Sequence, residues 1–440
     1  MSPSKSEQSA IDQYIEYLRS FPRFGAKEYL KLERVRLLLK YLGQPQRKLK
    51  GFQVAGTNGK GSTTAMIASI LRAGGHRTGA FFSPHLVSYT ERIQINGQPI
   101  AERDMARILK RIQPAVAKVE AELKDRPTWF EVLTAAAALW FAENKVAWVV
   151  FEVGLGGRLD STTALGLKYK VITDIDLDHT HTLGRTIRVI AGEKAGIIQP
   201  GSVVVTSNTG TAYKVIQKRC RQVGARLLLT SRVRLNSVSL KGICFNLINQ
   251  STNQPISLSL VGLKQPANAC LAFDITRRAL RLPIRTTIQG LEQTNLPARF
   301  QILRRRPLTI LDGAHNPAAM KELIKTLTRL HITNNKLCNE GRSIVTIFAA
   351  KDTKDYARMI NMLIKLSPDI YFPRLTIPGM VPPSRLRNIY SRSRVVPDLK
   401  TALKQATLKA GSRGMVLITG SLYLAGEVLR MDHYRPKLKV

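Results

Sequence analysis

Acidic side chains are scarce in this chain. Its 440 residues hold 30 Asp and Glu against 68 Lys and Arg, a formal charge of +38. Such an excess suits neutralisation of nucleic-acid phosphates. The basic residues are dispersed, however. Only Arg304-Arg305-Arg306 makes a tight run, without a long tail or aromatic-interleaved stretch. A host-wide basic composition, or a field drawing in small anionic substrates, is the favoured reading. A nucleic-acid partner is not expected.

Cysteine is rare too. Cys220, Cys244, Cys270 and Cys338 are spread out with no C-x-x-C pair, which excludes a metal knuckle or redox motif of that kind. Buried thiols in a reducing cytoplasm are expected. The longest nearly uncharged run, Val132 to Ala142, is too short for a bilayer, which needs about 20 apolar residues. No apolar signal core opens the chain. A soluble, cytoplasmic protein with no membrane partner is expected.

The length suggests two domains, because single cores seldom grow past about 250 to 300 residues. Helical spacing at Ile11, Tyr14, Ile15 and Leu18, and at Leu32, Val35, Leu38 and Leu39, predicts two opening helices. Strands and helices then alternate. Strands are predicted at 52–55, 78–82, 148–153, 171–175 and 203–206, helices at 61–73, 129–143 and 186–198. Asn96-Gly97 marks a hairpin. This rhythm argues a mainly parallel, doubly wound sheet. Residues 232–262 read as antiparallel strands at its edge, followed by a helix from Pro266 to Leu280. Past a linker near 296–299, strands at 308–311, 344–348, 370–372 and 416–419 predict a smaller second α/β domain.

Five clusters carry the chemistry. "GTNGKGS", residues 56–62, lies between a predicted strand and helix. Its glycines can turn amides inward as a nest, the helix directs its positive end there, and Lys60 supplies a point charge to phosphates. The usual phosphate loop places a hydroxyl directly after the lysine. Here Gly61 intervenes before Ser62, so metal ligation by Ser62 does not follow from the pattern. Glu152 in "EVGLGGRLD" and Asp178 and His179 in "LDHTHTLG" lie at further strand ends, where ligands of α/β sheets bind. Taken alone, Glu152 reads as an ion-paired acid, His179 as structural and Lys194 in "GEKAGII" as solvated. "LPARF" and "DGAHNP" bring Arg299, Asp312, His315 and Asn316 to a strand end of the second domain, which suggests an interdomain cleft.

In order along nearly the whole chain, GTNGKGS at 56, SPHLVSYTERI at 83, TWFE at 128, EVGLGGRLD at 152, LDHTHTLG at 177, GEKAGII at 192, LPARF at 296, DGAHNP at 312 and TGSLYLAGEV at 419 resemble the folylpolyglutamate synthase and dihydrofolate synthase family of Mur ligases. The resemblance implies a Mur-ligase-like, P-loop-containing domain over 1–297 and a Rossmann-like glutamate-ligase domain over 298–440. It implies ATP and Mg²⁺ as cofactors and L-glutamate with a folate or dihydropteroate as substrates. The family's loop carries the extra glycine, so Thr57, Asn58, Gly59, Lys60, Gly61 and Ser62 are expected to bind ATP, with Asn268, Arg299, Asp312 and His315. Metal ligands are implied at Ser83, Glu152 and His179. Lys194 matches a lysine that relatives carry as a carbamate. Lys60, Lys194, Asp312 and His315 are the implied catalytic set. Thr128, Phe130, Glu131, Leu159 and Asp160 match the pterin and aminobenzoate pocket. The resemblance also implies a monomer. Two departures stand out: Tyr29-Leu30-Lys31, where relatives often have Asp-Leu-Gly or Lys-Leu-Gly, and His181, where an aspartate is common. The alternatives are a Mur-type ligase with another carboxylate acceptor and a basic nucleic-acid-binding protein with a degenerate nucleotide fold.

Overall fold

A computed structural model describes residues 5–22, 31–228, 230–249, 252–332 and 343–431. Tyr29, Leu30 and Cys338 lie outside them. The strands are β1 (Gly51–Ala55), β2 (Thr78–Phe81), β3 (Ile93–Ile95), β4 (Gln98–Pro99), β5 (Trp148–Glu152), β6 (Tyr169–Ile172), β7 (Val203–Thr206), β8 (Arg226–Leu228), β9 (Arg232–Ser239), β10 (Gly242–Asn249), β11 (Thr252–Leu258), β12 (Gln301–Arg305), β13 (Leu308–Leu311), β14 (Ile344–Phe348), β15 (Asp369–Pro373), β16 (Arg394–Val396) and β17 (Met415–Thr419). The helices used below are α1 (Lys5–Arg19), α2 (Glu33–Tyr41), α3 (Lys60–Ala73), α4 (Glu102–Leu123), α5 (Trp129–Glu143), α6 (Thr180–Leu183), α7 (Ile187–Ala195), α8 (Gly210–Gln222), α9 (Gln265–Leu280), α10 (Ile284–Glu292) and α11 (Pro317–Arg329).

Two compact units share the chain. Residues 1–232 and 267–293 form the first; 233–266 and 294–440 form the second. In the first, eight strands run in the order β4-β3-β2-β5-β1-β6-β7-β8. All neighbours from β2 to β8 are parallel, and only the β3–β4 hairpin side is antiparallel. β1 and β5 are buried along their whole length, as expected of central strands in a parallel sheet covered on both faces. One core cluster joins Leu18, Leu38, Ile108, Val132 and Phe151; another gathers Ile190, Ile197, Val204 and Ile216. α10 lies so close to α3 that a Cβ on Gly290 would fall 2.4 Å from the Ile70 Cα.

In the second unit the sheet order is β12-β13-β17-β14-β15-β16, parallel except for β12. The antiparallel strands expected at the edge of the first sheet instead form a separate three-stranded sheet, β11-β10-β9. β10 alternates: Ile243, Phe245 and Leu247 bury one face, while the residues between them are less buried. Cys244 is on that other face and only partly buried, unlike Cys220 and Cys270. The strand expected at 171–175 ends at Ile172, and the helix expected to reach Ile198 ends at Ala195. No helix among the described residues is long and apolar enough to cross a membrane.

Candidate active site

Because β5, β1 and β6 are adjacent and parallel, the segments after them emerge side by side. The loop between β1 and α3 is built around two glycines. Gly59 has φ +87°, and a Cβ there would stand 2.5 Å from Asn268 Oδ1; at Gly56 it would stand 1.8 Å from Thr173 Oγ1. Side chains are excluded at both places. Thr57 N–H donates to the Asp174 carbonyl at 2.8 Å, and Thr57 Oγ1 both donates to Asp176 O and accepts from Asp176 N. Thr173 Oγ1 donates to Asn58 O at 2.7 Å. The loop is thereby sewn to the segment that follows β6.

Two lysines meet at this loop. Lys60 Nζ donates to the carbonyls of Gly56 and Thr57, both at 3.1 Å, and Lys194 Nζ donates to the same Gly56 carbonyl at 2.7 Å. Lys194 is buried within α7 rather than solvated. Two cations beside the N-terminus of α3 form a ready cradle for a polyphosphate. Gly61 and Ser62 fall in the first turn of α3, with Ser62 buried.

Ser83 follows β2, next to β5 in the sheet, and its N–H donates to Glu152 Oε2 at 3.0 Å. Glu152 is a buried carboxylate. Arg92 Nη1 donates to Ser83 Oγ at 3.3 Å and Nε to His85 Nδ1 at 2.9 Å, with its guanidinium 4.5 Å from the Trp129 ring centre. Residue-level reasoning missed Arg92, although it lies within SPHLVSYTERI. Ser83 and Glu152 are therefore together. His179 stands on an exposed left-handed turn at the start of α6, its backbone N–H donating to Asp178 Oδ1 at 2.8 Å. A buried carboxylate beside a serine hydroxyl fits a hard divalent cation, which takes oxygen donors and few of them from protein. Among the described residues no group of three or more His, Cys, Asp or Glu side chains makes a metal cage.

The expected acceptor-pocket residues lie around α5 and the loop after β5. Thr128 caps α5 in a reciprocal box with Glu131, at 2.6 Å and 3.3 Å. Glu131 also receives the buried Arg34: Nε to Oε2 at 3.0 Å and Nη2 to Oε1 at 3.1 Å. Burial works to lower the Arg34 pKa, but Glu131 and Asp125 outweigh it and hold it above the ordinary arginine value. No local sequence signal announced Arg34. Phe130 packs under Gly154, where a Cβ would fall 2.6 Å from its ring. Asp160 is fully engaged. Its Oδ2 accepts from the amides of Gly154 and Leu155, and its Oδ1 from Thr162 N, each at 3.0 Å. Burial pushes the Asp160 carboxyl upward against these donors. Leu159 is partly buried beside it. Lys31, at the end of the divergent Tyr29-Leu30-Lys31 stretch, pairs with Asp125 at 3.3 Å.

In the second unit, Asp312 directly follows β13 and its two oxygens accept from Phe300 N and Ala314 N, both at 2.8 Å. Burial raises its pKa while Arg299 pulls it down. Ala298 and Phe300 take left-handed backbone around Arg299, and a Cβ on Gly313 would stand 2.7 Å from Arg299 Nη1. His315 Nδ1 donates to Gly313 O at 2.8 Å, which fixes the ring just before Asn316 caps α11.

Two family descriptions match the chain in succession: the Mur ligase middle domain over residues 54–276 and the Mur ligase glutamate ligase domain over 298–422. The chain is 35% identical over 429 residues to the dihydrofolate synthase/folylpolyglutamate synthase of Bacillus subtilis, spanning 92% of this chain and 95% of that one. The chain belongs to the folylpolyglutamate synthase/dihydrofolate synthase family. Folylpolyglutamate synthase of Mycobacterium tuberculosis, complexed with ADP, superposes with a TM-score of 0.87 at 28% identity, covering 96% of this chain and 98% of the other. A bifunctional member with Mn, AMPPNP and L-glutamate bound superposes with a TM-score of 0.82 at 29% identity, covering 98% and 99%. Family membership accounts for the glycine after Lys60, for the α/β architecture of both units and for the motif order.

Proposed function

We propose that this chain is an ATP-dependent ligase that joins L-glutamate to the carboxylate of a folate or dihydropteroate, through an acyl phosphate. One observation carries the reading: two lysines converge on the Gly56 carbonyl of a glycine loop at the head of α3, beside the Ser83–Glu152 pair. Two ammonium groups beside a glycine loop at a helix N-terminus suit the charge of an incoming triphosphate. Phosphoryl transfer is mostly positioning and electrostatics, which loop amides and Lys60 supply. The acceptor carboxylate oxygen takes the γ-phosphoryl group as ADP leaves. The glutamate amine then attacks the acyl carbon, phosphate departs and the amine loses its proton.

Ser83, Glu152 and His179 would hold the divalent cation, whose bound form neutralises charge on the γ-phosphate. A solved relative with Mn and AMPPNP bound supports a divalent cation beside the nucleotide. Asn268, against Gly59, orients the loop and the nucleotide. Arg299, Asp312 and His315, in the matched LPARF and DGAHNP motifs, are the second unit's nucleotide-contacting residues in this reading. Thr128, Phe130, Glu131, Leu159 and Asp160 shape the acceptor pocket. Carbamylated Lys194 would present an anion toward the metal where the unmodified amine presents a cation. Division into a catalytic domain over 1–297 and a glutamate-ligase domain over 298–440 belongs to this reading; the two matched families support it, while residues 233–266 group with the second compact unit. So does action as a cytoplasmic monomer.

The test is glutamate-dependent phosphate release from ATP and Mg²⁺, with dihydropteroate and tetrahydrofolate supplied separately. Turnover with both is expected and identifies a bifunctional enzyme; turnover with one assigns the branch. Silence with both, from protein that binds ATP, would point to another carboxylate acceptor.

A further inference from the structure

No Asp or Glu occurs between Glu193 and Asp274, although basic residues continue throughout. Of the two carboxylates that bracket this stretch, Glu193 pairs with Arg158 at 2.8 Å and Asp274 accepts from Ser231. Within the first unit the stretch builds β7, α8 and β8, the last being the terminal strand of the eight-stranded sheet.

Basic residues that look dispersed in the sequence line up on α8. Ala212, Ile216 and Cys220, at i, i+4 and i+8, bury one face. Lys214, Lys218 and Arg221, at i, i+4 and i+7, are exposed on the opposite one, and Arg226 is exposed on β8. At 1.5 Å per residue, Lys214 and Lys218 are about 6 Å apart along the axis and Arg221 about 4.5 Å further.

Helix stability does not explain the stripe. Arg221, in the last turn, complements the helix dipole, but Lys214 lies in the N-terminal half, where a cation gains nothing from it. Like charges at i, i+4 repel. Among the described residues no carboxylate pairs with Lys214, Lys218, Arg221 or Arg226. The exposed face also carries Thr211 and Gln222 and no exposed Trp, Phe or Leu, so it lacks the apolar side chains that seat a basic helix in a lipid surface.

We propose that α8 and the start of β8 form a docking surface for the phosphate backbone of nucleic acid, read without base specificity. It goes beyond the ligase reading and does not depend on it.

The experiment measures fluorescence anisotropy of a short labelled DNA duplex with the full chain over a salt series. Wild type is compared with Lys214→Gln/Lys218→Gln/Arg221→Gln and with an equal charge loss on and just past α4, Arg103→Gln/Lys110→Gln/Lys124→Gln. Each lost phosphate contact removes about 0.9 from the slope of log K against log salt. The α8 variant should therefore lose about 2 to 3 in slope and bind at least about tenfold more weakly near physiological salt. The control should move by less than about 1 in slope, and both variants should keep glutamate-dependent phosphate release. Equal weakening by the two variants would show diffuse charge and overturn the proposal. So would absence of wild-type binding near physiological salt, or α8-dependent binding to phosphatidylserine vesicles but not to the duplex. An inactive ligase that still shows the α8-specific slope would refute only the functional reading above.

Discussion

Lys60 and Lys194 donate to backbone carbonyls of the β1–α3 loop, whereas Glu131 and Asp160, on α5 and after β5, have their oxygens filled by Arg34, backbone amides and Thr162. The difference lies in the sign of the charge and in how it is held. Both lysines bring positive charge to the loop, where an arriving phosphate meets it. Extracting Glu131 would break a bidentate buried ion pair and leave Arg34 with Asp125, at 2.7 Å, as a carboxylate partner. The loop thus presents positive charge to a ligand, and the residues around 128–160 are walls that hold a shape. Glu131 and Asp160 serve an acceptor through geometry and the lysines through charge.

Substitutions can break or sharpen that contrast. Lys60→Ala should lower turnover by about 10²–10³-fold, in the range for losing one preorganised charge-stabilising donor, while the thermal midpoint barely moves. A matching collapse in stability would make the loop a structural element like the other region. Glu131→Ala should do the reverse, costing about 3 kcal/mol by breaking the buried bidentate pair with Arg34, which keeps Asp125, read in denaturant melts. Lost turnover in a fully stable variant would instead make Glu131 a ligand contact.

Lys170 offers a third treatment of charge in the same unit. It is fully buried on β6, donates to Gln53 Oε1 at 2.8 Å, and burial pulls its pKa down to about 7. Its folded pKa lies below the unfolded value, so the unfolded chain binds more protons between those two values. Stability attributable to this group then rises with pH above about 7. From pH 7.5 to 9 the wild type should gain about 2 kcal/mol relative to Lys170→Met. Equal pH slopes in the two proteins would show that water or a rearrangement relieves the buried amine. The smallest effect is expected at Asp274, pushed up to about 6 by burial against its Ser231 bonds. Here the native state holds the proton more tightly, so its contribution declines as pH rises from about 4 to 6. Asp274→Asn should remove about 1.4 kcal/mol of that decline between pH 4.5 and 5.5, and an unchanged slope would leave the carboxyl ordinary.

Much of the first sheet was legible because β1, β5 and β7 are short continuous apolar runs, and because the glycine loop sits between a strand and a helix as phosphate chemistry requires. α4 was not singled out. Its apolar period at Met105, Ile108, Leu109, Ile112 and Val116 is clear once seen, but Pro114 stands inside it and ordinarily reads as a break. The separate β9–β11 sheet was misplaced because alternation identifies strands and not the sheet they join. Arg34 and Glu131 are 97 positions apart, and nothing near either one signals the pairing. Lys194 reads as a solvated helical lysine until α7 packs it beneath the loop; only the family motif singled it out.

Asn268 touches Gly59 and α10 covers α3, yet both arrive after the chain has passed through β9–β11 in the other unit. On a ribosome the glycine loop emerges roughly 200 residues before its last wall. At about 5–20 residues per second that is about 10–40 s of synthesis. During this interval the N-terminal half has its strand and its lysine but no finished cradle, so nucleotide affinity should switch on late, once the chain has grown past α10.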